Sequence, residues 1–552
     1  MKFYLRRTIG FMSLSTFLWL TSCRTTDTEN ALQNGGLASV KINLVGTEFS
    51  GSNNLGSQAS ISNSINITST QNQNILLNPS TLIEAELIPN SLNTKVAFVK
   101  DGSMAAIIGD PLKEGITFRV IAYKKDGDGS LNYQTHQDYT VGEVASPIIM
   151  DIGASYDLIV YSFGAKTRLP AITNEEKGTL NYNMSIPYDG DNPDFMYKRI
   201  NSYIPSIDSK VLDITLSHKI VQVTANINIA KIIDNFQSAN SVKVGTHFKS
   251  GKIILGGGYL DNSFANGITI DLKKNDMASL PKKYVYEPVF LNSDGKLTYS
   301  ADIIYSDGTP SKKLEGNFFY TPGYKHNLNL NIMRCGAYIA PGVWKDFMCY
   351  NLGSTNEPLV SPEIGPRWKY KNVHGSKYQW GRNFEAVNQK EDQESRYLDG
   401  PNNWQTTMAS DNAWLDNSKG AEDPCPSGYK VPSKEQWEGV INNNTVTKYG
   451  PWWNVGSAIY YGSAYKFGDG LILPAAGIRT QYSGNTEPDG TLYYRGVRGT
   501  YWSSTSYDDN GNKGAYAFEY GEEIPGQRPA IIPHVGIFDR VRDAVSIRCI
   551  KE

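Results

Sequence analysis

Along most of the chain apolar and polar residues alternate with the period of two that a half-buried strand requires. Val40, Ile42 and Leu44 alternate with Lys41 and Asn43. Residues 46–74 are rich in Ser, Asn, Gly and Thr, and read as a long loop with some strand. A strand over 116–123 runs into the turn Asp126-Gly127-Asp128-Gly129. Residues 155–163 form another, ended by Gly164. Its two faces carry Tyr156, Leu158 and Val160, and Ile159, Tyr161 and Phe163, so it is expected to be covered on both sides. Further strands are expected over 211–229, 252–255, 268–270, 284–291, 297–305 and 324–333. In the last of these Asn327, Asn329 and Asn331 alternate with Leu328, Leu330 and Ile332, and the asparagines should face solvent. Short strands at this spacing, parted by Gly, Asn and Asp turns, predict a mainly β chain built of sandwiches.

The bend at 187–205 places a boundary between a first sandwich at 37–195 and a second at 196–334. Residues 335–343 read as a linker. Beyond it lie nine of the ten tryptophans, so 344–552 is expected to be a separate domain. Its clearest local signal is 423–437, DPCPSGYKVPSKEQW. Proline and glycine turn chemistry leads to a brief extended segment, which Pro432 terminates by disfavouring helical geometry at Val431. Ser433 is then the N-cap of a helix, Gln436 completes a capping box, and Trp437 is the first apolar anchor.

Composition narrows the class. The 552 residues carry 53 Lys and Arg against 55 Asp and Glu, which offers no basic field for nucleic acid. At the N-terminus Lys2, Arg6 and Arg7 precede an apolar run over 9–20, too short for an ordinary membrane span. That run leads to Leu20-Thr21-Ser22-Cys23, similar to a bacterial lipobox. Residues 1–22 are therefore expected to be a lipoprotein signal, Cys23 the lipidated residue, and 24–36 a flexible tether. The chain is expected to be exported to the outer membrane and cell surface, held by lipid. The other four cysteines, Cys335, Cys349, Cys425 and Cys549, are even in number and lack metal-ligand spacing. Of the three pairings open to them, Cys335–Cys349 (local) and Cys425–Cys549 (long-range) are the ones expected.

Two resemblances extend this reading. Residues 37–334 resemble the fimbrillin family of Bacteroidia in the lipobox, the 116–123 strand followed by Asp-Gly, Gly153 to Phe163, Leu216-Ser217-His218-Lys219, and Thr321-Pro322-Gly323-Tyr324-Lys325. The last third resembles the Fibrobacter-type paralogous domain, of C-type-lectin-like fold. The shared segments are 343–353, Tyr378-Gln379-Trp380-Gly381-Arg382, 423–437, Leu473-Pro474-Ala475-Ala476-Gly477, 499–504, and Ser546-Ile547-Arg548-Cys549.

The resemblance implies two tandem fimbrillin-like sandwiches followed by an α+β lectin-like domain. It also implies a role as an accessory or tip component of a fimbrium, joined to its neighbours by β-strand addition. The partners implied are FimC- and FimD-like accessory proteins and the shaft fimbrillin, with a host protein or glycan as ligand of the last domain. The alternative is a cell-surface glycan- or protein-binding lipoprotein outside any fibre. In the family, arginine-specific proteolysis frees the first strand. Here the first arginine after Arg24 is Arg119, so cleavage at Arg24 would trim the tether and spare that strand. With Cys549 disulfide-bonded, the segment ending at Glu552 is not expected to act as a donor strand.

Candidate chemistry is sparse. Glu487-Pro488-Asp489 resembles the Glu-Pro-X tripeptide with which some C-type lectins bind calcium and sugar, making Glu487 and Asp489 the candidate ligand residues. The Asn-Asp pair expected beside the tryptophan is missing, since Tyr501 and Ser503 flank Trp502. A polar turn is the plainer reading. Asp508-Asp509-Asn510-Gly511-Asn512 and Asp411-Asn412 read as solvated turns. The pairs Trp452-Trp453, Tyr460-Tyr461 and Tyr493-Tyr494 read as core packing before glycan stacking, Trp437 and Trp502 as core, and His218 as a structural histidine. No catalytic constellation has a recognisable context, and the chain is not expected to be an enzyme. Apart from calcium, no cofactor is expected.

Overall fold

The computed structural model describes residues 36–50, 69–90, 110–189, 194–208, 210–230, 236–261, 266–293, 295–306, 311–355, 373–398, 403–450, 452, 462–481, 489–523, 526 and 529–552. The fold is mainly β. In chain order, the first strands are β1 (Leu37–Glu48), β2 (Gln71–Asn78), β3 (Thr81–Pro89), β4 (Thr117–Lys125), β5 (Leu131–Thr140), β6 (Ile148–Asp151), β7 (Tyr156–Ser162), β8 (Ser185–Asp189), β9 (Met196–Tyr203) and β10 (Val211–His218). They are followed by β11 (Val221–Ile229), β12 (Phe236–Phe248), β13 (Ser250–Ile254), β14 (Tyr259–Asp261), β15 (Gly267–Asp271), β16 (Lys283–Val285), β17 (Val289–Leu291), β18 (Lys296–Tyr305), β19 (Lys312–Phe319) and β20 (Lys325–Arg334).

The first body is a seven-stranded sheet in the order β5-β4-β7-β9-β10-β1-β6. Apolar side chains on both faces of β7 require two coverings, as its sequence predicts. Leu158 and Val160 pack with Val40, Ile42, Val120 and Leu216 on one face. Ile159 and Tyr161 pack on the other with Leu180, Ile186 and Ile253, under the small sheet β14-β13-β8. The second body is a sandwich. Sheet β16-β11-β20-β3-β2, with β17 beside β11, faces sheet β15-β12-β18-β19 across a core of Ile83, Leu87, Ile227, Val244, Leu297, Ile303, Leu328 and Leu330.

Strand pairing crosses the boundary expected at 195/196. β9 and β10 belong to the first sheet, β13 and β14 help to cover it, and the hairpin β2–β3, from far upstream, completes the second sandwich. The expected strand over 211–229 is two strands, turning at Lys219-Ile220 from one body into the other. The bend at 187–205 is largely strand, with Met196 fully buried. The hairpin β2–β3 begins at the end of the 46–74 segment, expected to be a loop with some strand, and lies mostly beyond it, where no element was expected. Its signal was present: Ile83, Ala85 and Leu87 alternate after the turn at Pro79-Ser80.

The three asparagines of β20 lie on the outer face, half-buried and joined across the strands. Asn226 donates to Asn329, Asn228 to Asn331, Asn327 to Asn90 and Asn331 to Glu86, a ladder of side-chain amides over the backbone ladder. His326, on the same strand, is buried opposite Pro89 of β3. Burial pushes its imidazole down from 6.5 to about 4, against a smaller opposing hydrogen bond at Tyr324. A histidine whose folded value is depressed stabilises the fold above its unfolded value, and that contribution is lost as pH falls. We therefore expect the second sandwich to lose on the order of 3 kcal/mol between about pH 6.5 and 4, at about 1.4 kcal/mol per pH unit. Urea midpoints across this range should show the loss in the wild type and a flatter profile in His326→Gln. Parallel profiles would refute it.

The terminal third begins earlier than expected. The segment 335–343 is no linker, because Cys335 and Ala337 are buried and residues 336–346 form the hairpin β21 (Gly336–Ala340) and β22 (Val343–Asp346). The helix expected from 423–437 is α2 (Lys434–Asn443), after the shorter α1 (Gln389–Glu394). Ser433 caps it, and the capping box with Gln436 is complete. Trp437 anchors it, stacked on Phe518 at 4.9 Å and donating to the Trp502 carbonyl. The meander 498–509, 512–521 and 531–538 separates two cores. Tyr501, Phe518 and Tyr520 face the α2 side, while Trp502 and Ala517 face Trp380, Trp414 and the Cys425–Cys549 disulfide. Cys335 pairs with Cys349, so both expected bridges are present.

Candidate functional site

Two places follow from the candidate residues: the slot of the first strand, and the two short strands that flank the segment holding Glu487 and Asp489. Strand β1 fills its slot. It pairs in parallel with β10 from Lys41 opposite Val211 to Glu48 opposite Ser217, and antiparallel with β6 from Leu37 opposite Asp151 to Val40 opposite Ile148. Ala38, Val40 and Ile42 point into the core. At its end Phe49 stacks on His218 at 3.7 Å. His218 is buried against Asp194 at 2.7 Å and has the structural role expected of it.

Arg24 and Cys23 lie outside the described residues. Arg119, the first arginine after Arg24, is in the middle of the sheet on β4, 2% exposed. Its guanidinium donates to both carboxylate oxygens of Asp138, to the Tyr161 hydroxyl, to Glu176 and to the Pro170 carbonyl. Burial alone would lower its pKa, but these hydrogen bonds and charges raise it above the ordinary arginine value. An arginine held this way is closed to a protease in the folded chain.

In the terminal third, Ile478–Thr480 and Thr491–Tyr493 pair as two short strands and bring together the ends of the segment 481–490. A fully buried ionic group supports those strands. Asp392 of α1 accepts from Arg479 Nε at 2.6 Å and from Arg495, with Lys377 Nζ 3.7 Å away. Arg479 also donates to the carbonyls of Ser395 and Gly490, the latter beside Asp489. Burial opposes ionisation of Asp392, but the charges of Arg495, Lys377 and Arg479 hold its carboxyl well below the usual carboxylate range. Burial draws Lys377 down to about 8, against the pull of Asp392. Thr480 Oγ1 donates to Asp543 at 2.6 Å and the Gln481 amide to the Arg542 carbonyl, fixing the other end. No sequence pattern pointed to this group, since its four members are scattered over 377–495 and each reads as a surface charge.

Of the candidate pair, Glu487 lies outside the described residues. Asp489 is exposed and accepts from Gln481 Nε2 at 2.7 Å. Among the described residues no cluster of three or more His, Cys, Asp or Glu could hold a metal ion. Asp411 is bonded to Arg540 and Lys513, whose hydrogen bonds lower its pKa. Asp508 accepts from the Gly511 amide in its own turn. Tyr493 and Tyr494 pack against the core, and Trp452 stands edge-on to Tyr465. Trp453, Tyr460 and Tyr461 lie outside the described residues.

No protein-family profile and no curated protein matches the chain. Solved structures do. One is a candidate cell adhesion protein from Bacteroides uniformis, at 12% identity and a TM-score of 0.28, covering 39% of this chain and 85% of that one. Another is a candidate adhesin from Bacteroides ovatus, at 17% and 0.22, covering 37% and 78%. A third is the fimbrial anchor protein Mfa2 from Porphyromonas gingivalis, at 10% and 0.20, covering 37% and 75%. At these scores each is a partial likeness. The two places described above rest on this chain's own residues.

Proposed function

We propose that the chain is a non-catalytic accessory or tip component of a cell-surface fimbrium, similar in kind to the accessory subunit FimE. It is exported as a lipoprotein through Cys23 and held at the outer membrane before assembly. It joins FimC- and FimD-like partners and the shaft fimbrillin by β-strand addition, and its terminal third is a C-type-lectin-like adhesive domain. One observation carries the reading: β1 sits in its own slot in a sheet whose first arginine beyond Arg24 is buried. A subunit that keeps its first strand offers no open groove there. This suits a component at the end or side of a fibre better than one within the shaft. The sandwiches and a tryptophan-rich terminal third built on a buried ionic base fit a protein that presents a binding surface. Immunogold labelling of purified fimbriae tests the proposal. Label on the fibres is expected, and protein confined to the outer membrane would favour a binding lipoprotein outside any fibre.

A further inference from the structure

The hairpin β2–β3 touches three parts of the molecule that are far from it in sequence. β3 lies beside β20 in an unbroken antiparallel ladder from Thr81 opposite Arg334 to Pro89 opposite His326. β2 is the edge of that sheet, and its glutamines reach the edge of the facing one. Gln71 Nε2 donates to the Phe319 carbonyl at 2.5 Å and Gln71 Oε1 accepts from the Phe319 amide at 3.0 Å. Gln73 donates to the Asn317 carbonyl and accepts from the Tyr299 hydroxyl. Side-chain amides thus replace a missing strand between β2 and β19 and close that side of the sandwich.

The turn of the hairpin makes the third contact. The Pro79 carbonyl accepts from the Cys349 amide at 2.7 Å, and the Ser80 carbonyl from the Cys335 amide at 2.8 Å. These donors belong to the two halves of one disulfide, with Cα atoms 5.2 Å apart. The Ser80 hydroxyl, buried, accepts from Tyr429 at 3.0 Å. Tyr429 pairs with Lys551, next to the Cys425–Cys549 bridge. Leu82 packs against the Cys335–Cys349 pair. Pro79 is exposed, but Ser80, Leu82, Tyr429 and both cysteines are buried, and there an unmade bond is costly.

We propose that the β2–β3 hairpin is a strap that holds the terminal third against the second sandwich, so that displacing the hairpin releases the terminal third. The Cys335–Cys349 disulfide is the buckle, because it keeps the two amides that grip the turn side by side. An extended segment from another subunit that replaced β3 beside β20 would reproduce the ladder but bring no turn to those amides. The proposal stands whether or not the chain enters a fibre.

Hydrogen exchange on the full chain tests it. Insertion of two glycines between Pro79 and Ser80 should speed exchange at the Cys335 and Cys349 amides about tenfold, the ratio expected for one lost hydrogen bond. It should also loosen β21 and β22 while leaving β4 and β7 unchanged. Unchanged exchange over 335–349 would overturn the proposal. If the insertion also disturbs β4 and β7, Ser80→Ala, Tyr429→Phe and their double variant decide. The three should accelerate 335–349 by similar amounts, since each removes the Tyr429–Ser80 bond and Ser80→Ala removes besides it only the long 3.4 Å bond to Asn78, whereas additive effects or no effect would overturn it.

Discussion

A chain lacking Leu37–Glu48 is expected to lose the protection of its first sandwich and to regain it when a peptide of residues 36–49 is added. β1 lies between β10 and β6, so its removal leaves β6 without a partner and β10 bonded on its β9 side alone. It also uncovers the places of Ala38, Val40 and Ile42, which lie within the core. Two buried branched aliphatic side chains contribute about 1.5–3 kcal/mol each. With the lost ladder and the Phe49–His218 stack weakened at its root, the deficit is roughly 5 kcal/mol or more. That is comparable to the whole stability of an ordinary domain. Amide exchange in β4 and β7 is the measurement. It should rise sharply in the truncated chain and fall again with the peptide, since a strand supplied in trans recovers the same backbone bonds and pockets. Native exchange in the truncated chain without peptide would show that β1 is dispensable to the sheet.

Asp392→Asn should destabilise the terminal third by about 4 kcal/mol and leave both sandwiches unaffected. The substitution keeps the shape of the side chain and removes its charge, leaving Arg479, Arg495 and Lys377 buried without their counter-ion. Breaking a buried ionic group in this way costs about 3–5 kcal/mol, much of it the penalty of the uncompensated cations. For a domain of this size the melting transition should fall by roughly 10 °C. Because Arg479 also holds the Gly490 carbonyl, proteolysis within 481–490 should quicken in parallel. The pH dependence has a definite sign. Asp392 is depressed in the folded state, so its contribution is present above the unfolded carboxylate value near 3.8 and disappears as pH falls. An unchanged transition in the variant would mean that the main-chain carbonyls around the two arginines suffice to hold them.

Much of the local structure was legible in the sequence because its causes are local. The two apolar faces of β7 announced a strand covered on both sides. Ser433 and Gln436 announced a capped helix, since a cap depends on residues within one turn. The even number of the cysteines beyond Cys23 announced disulfides, and both expected pairs formed. The asparagines of β20 were placed on the correct face, although their cross-strand ladder depends on β11 and β3, which the strand itself does not specify.

What the sequence by itself determined is therefore the kind of element at each place: strand, turn, capped helix, paired cysteine. What only the tertiary structure decided is which elements meet. A strand offers the same row of amides and carbonyls whatever its neighbour, so alternation alone could not assign β2 and β3 to the second sandwich or β9 and β10 to the first sheet. A charged side chain looks alike in sequence whether exposed or buried. Asp392, Arg479, Arg495 and Lys377 became an ionic foundation only when the fold removed water from around them together, making each dependent on the others.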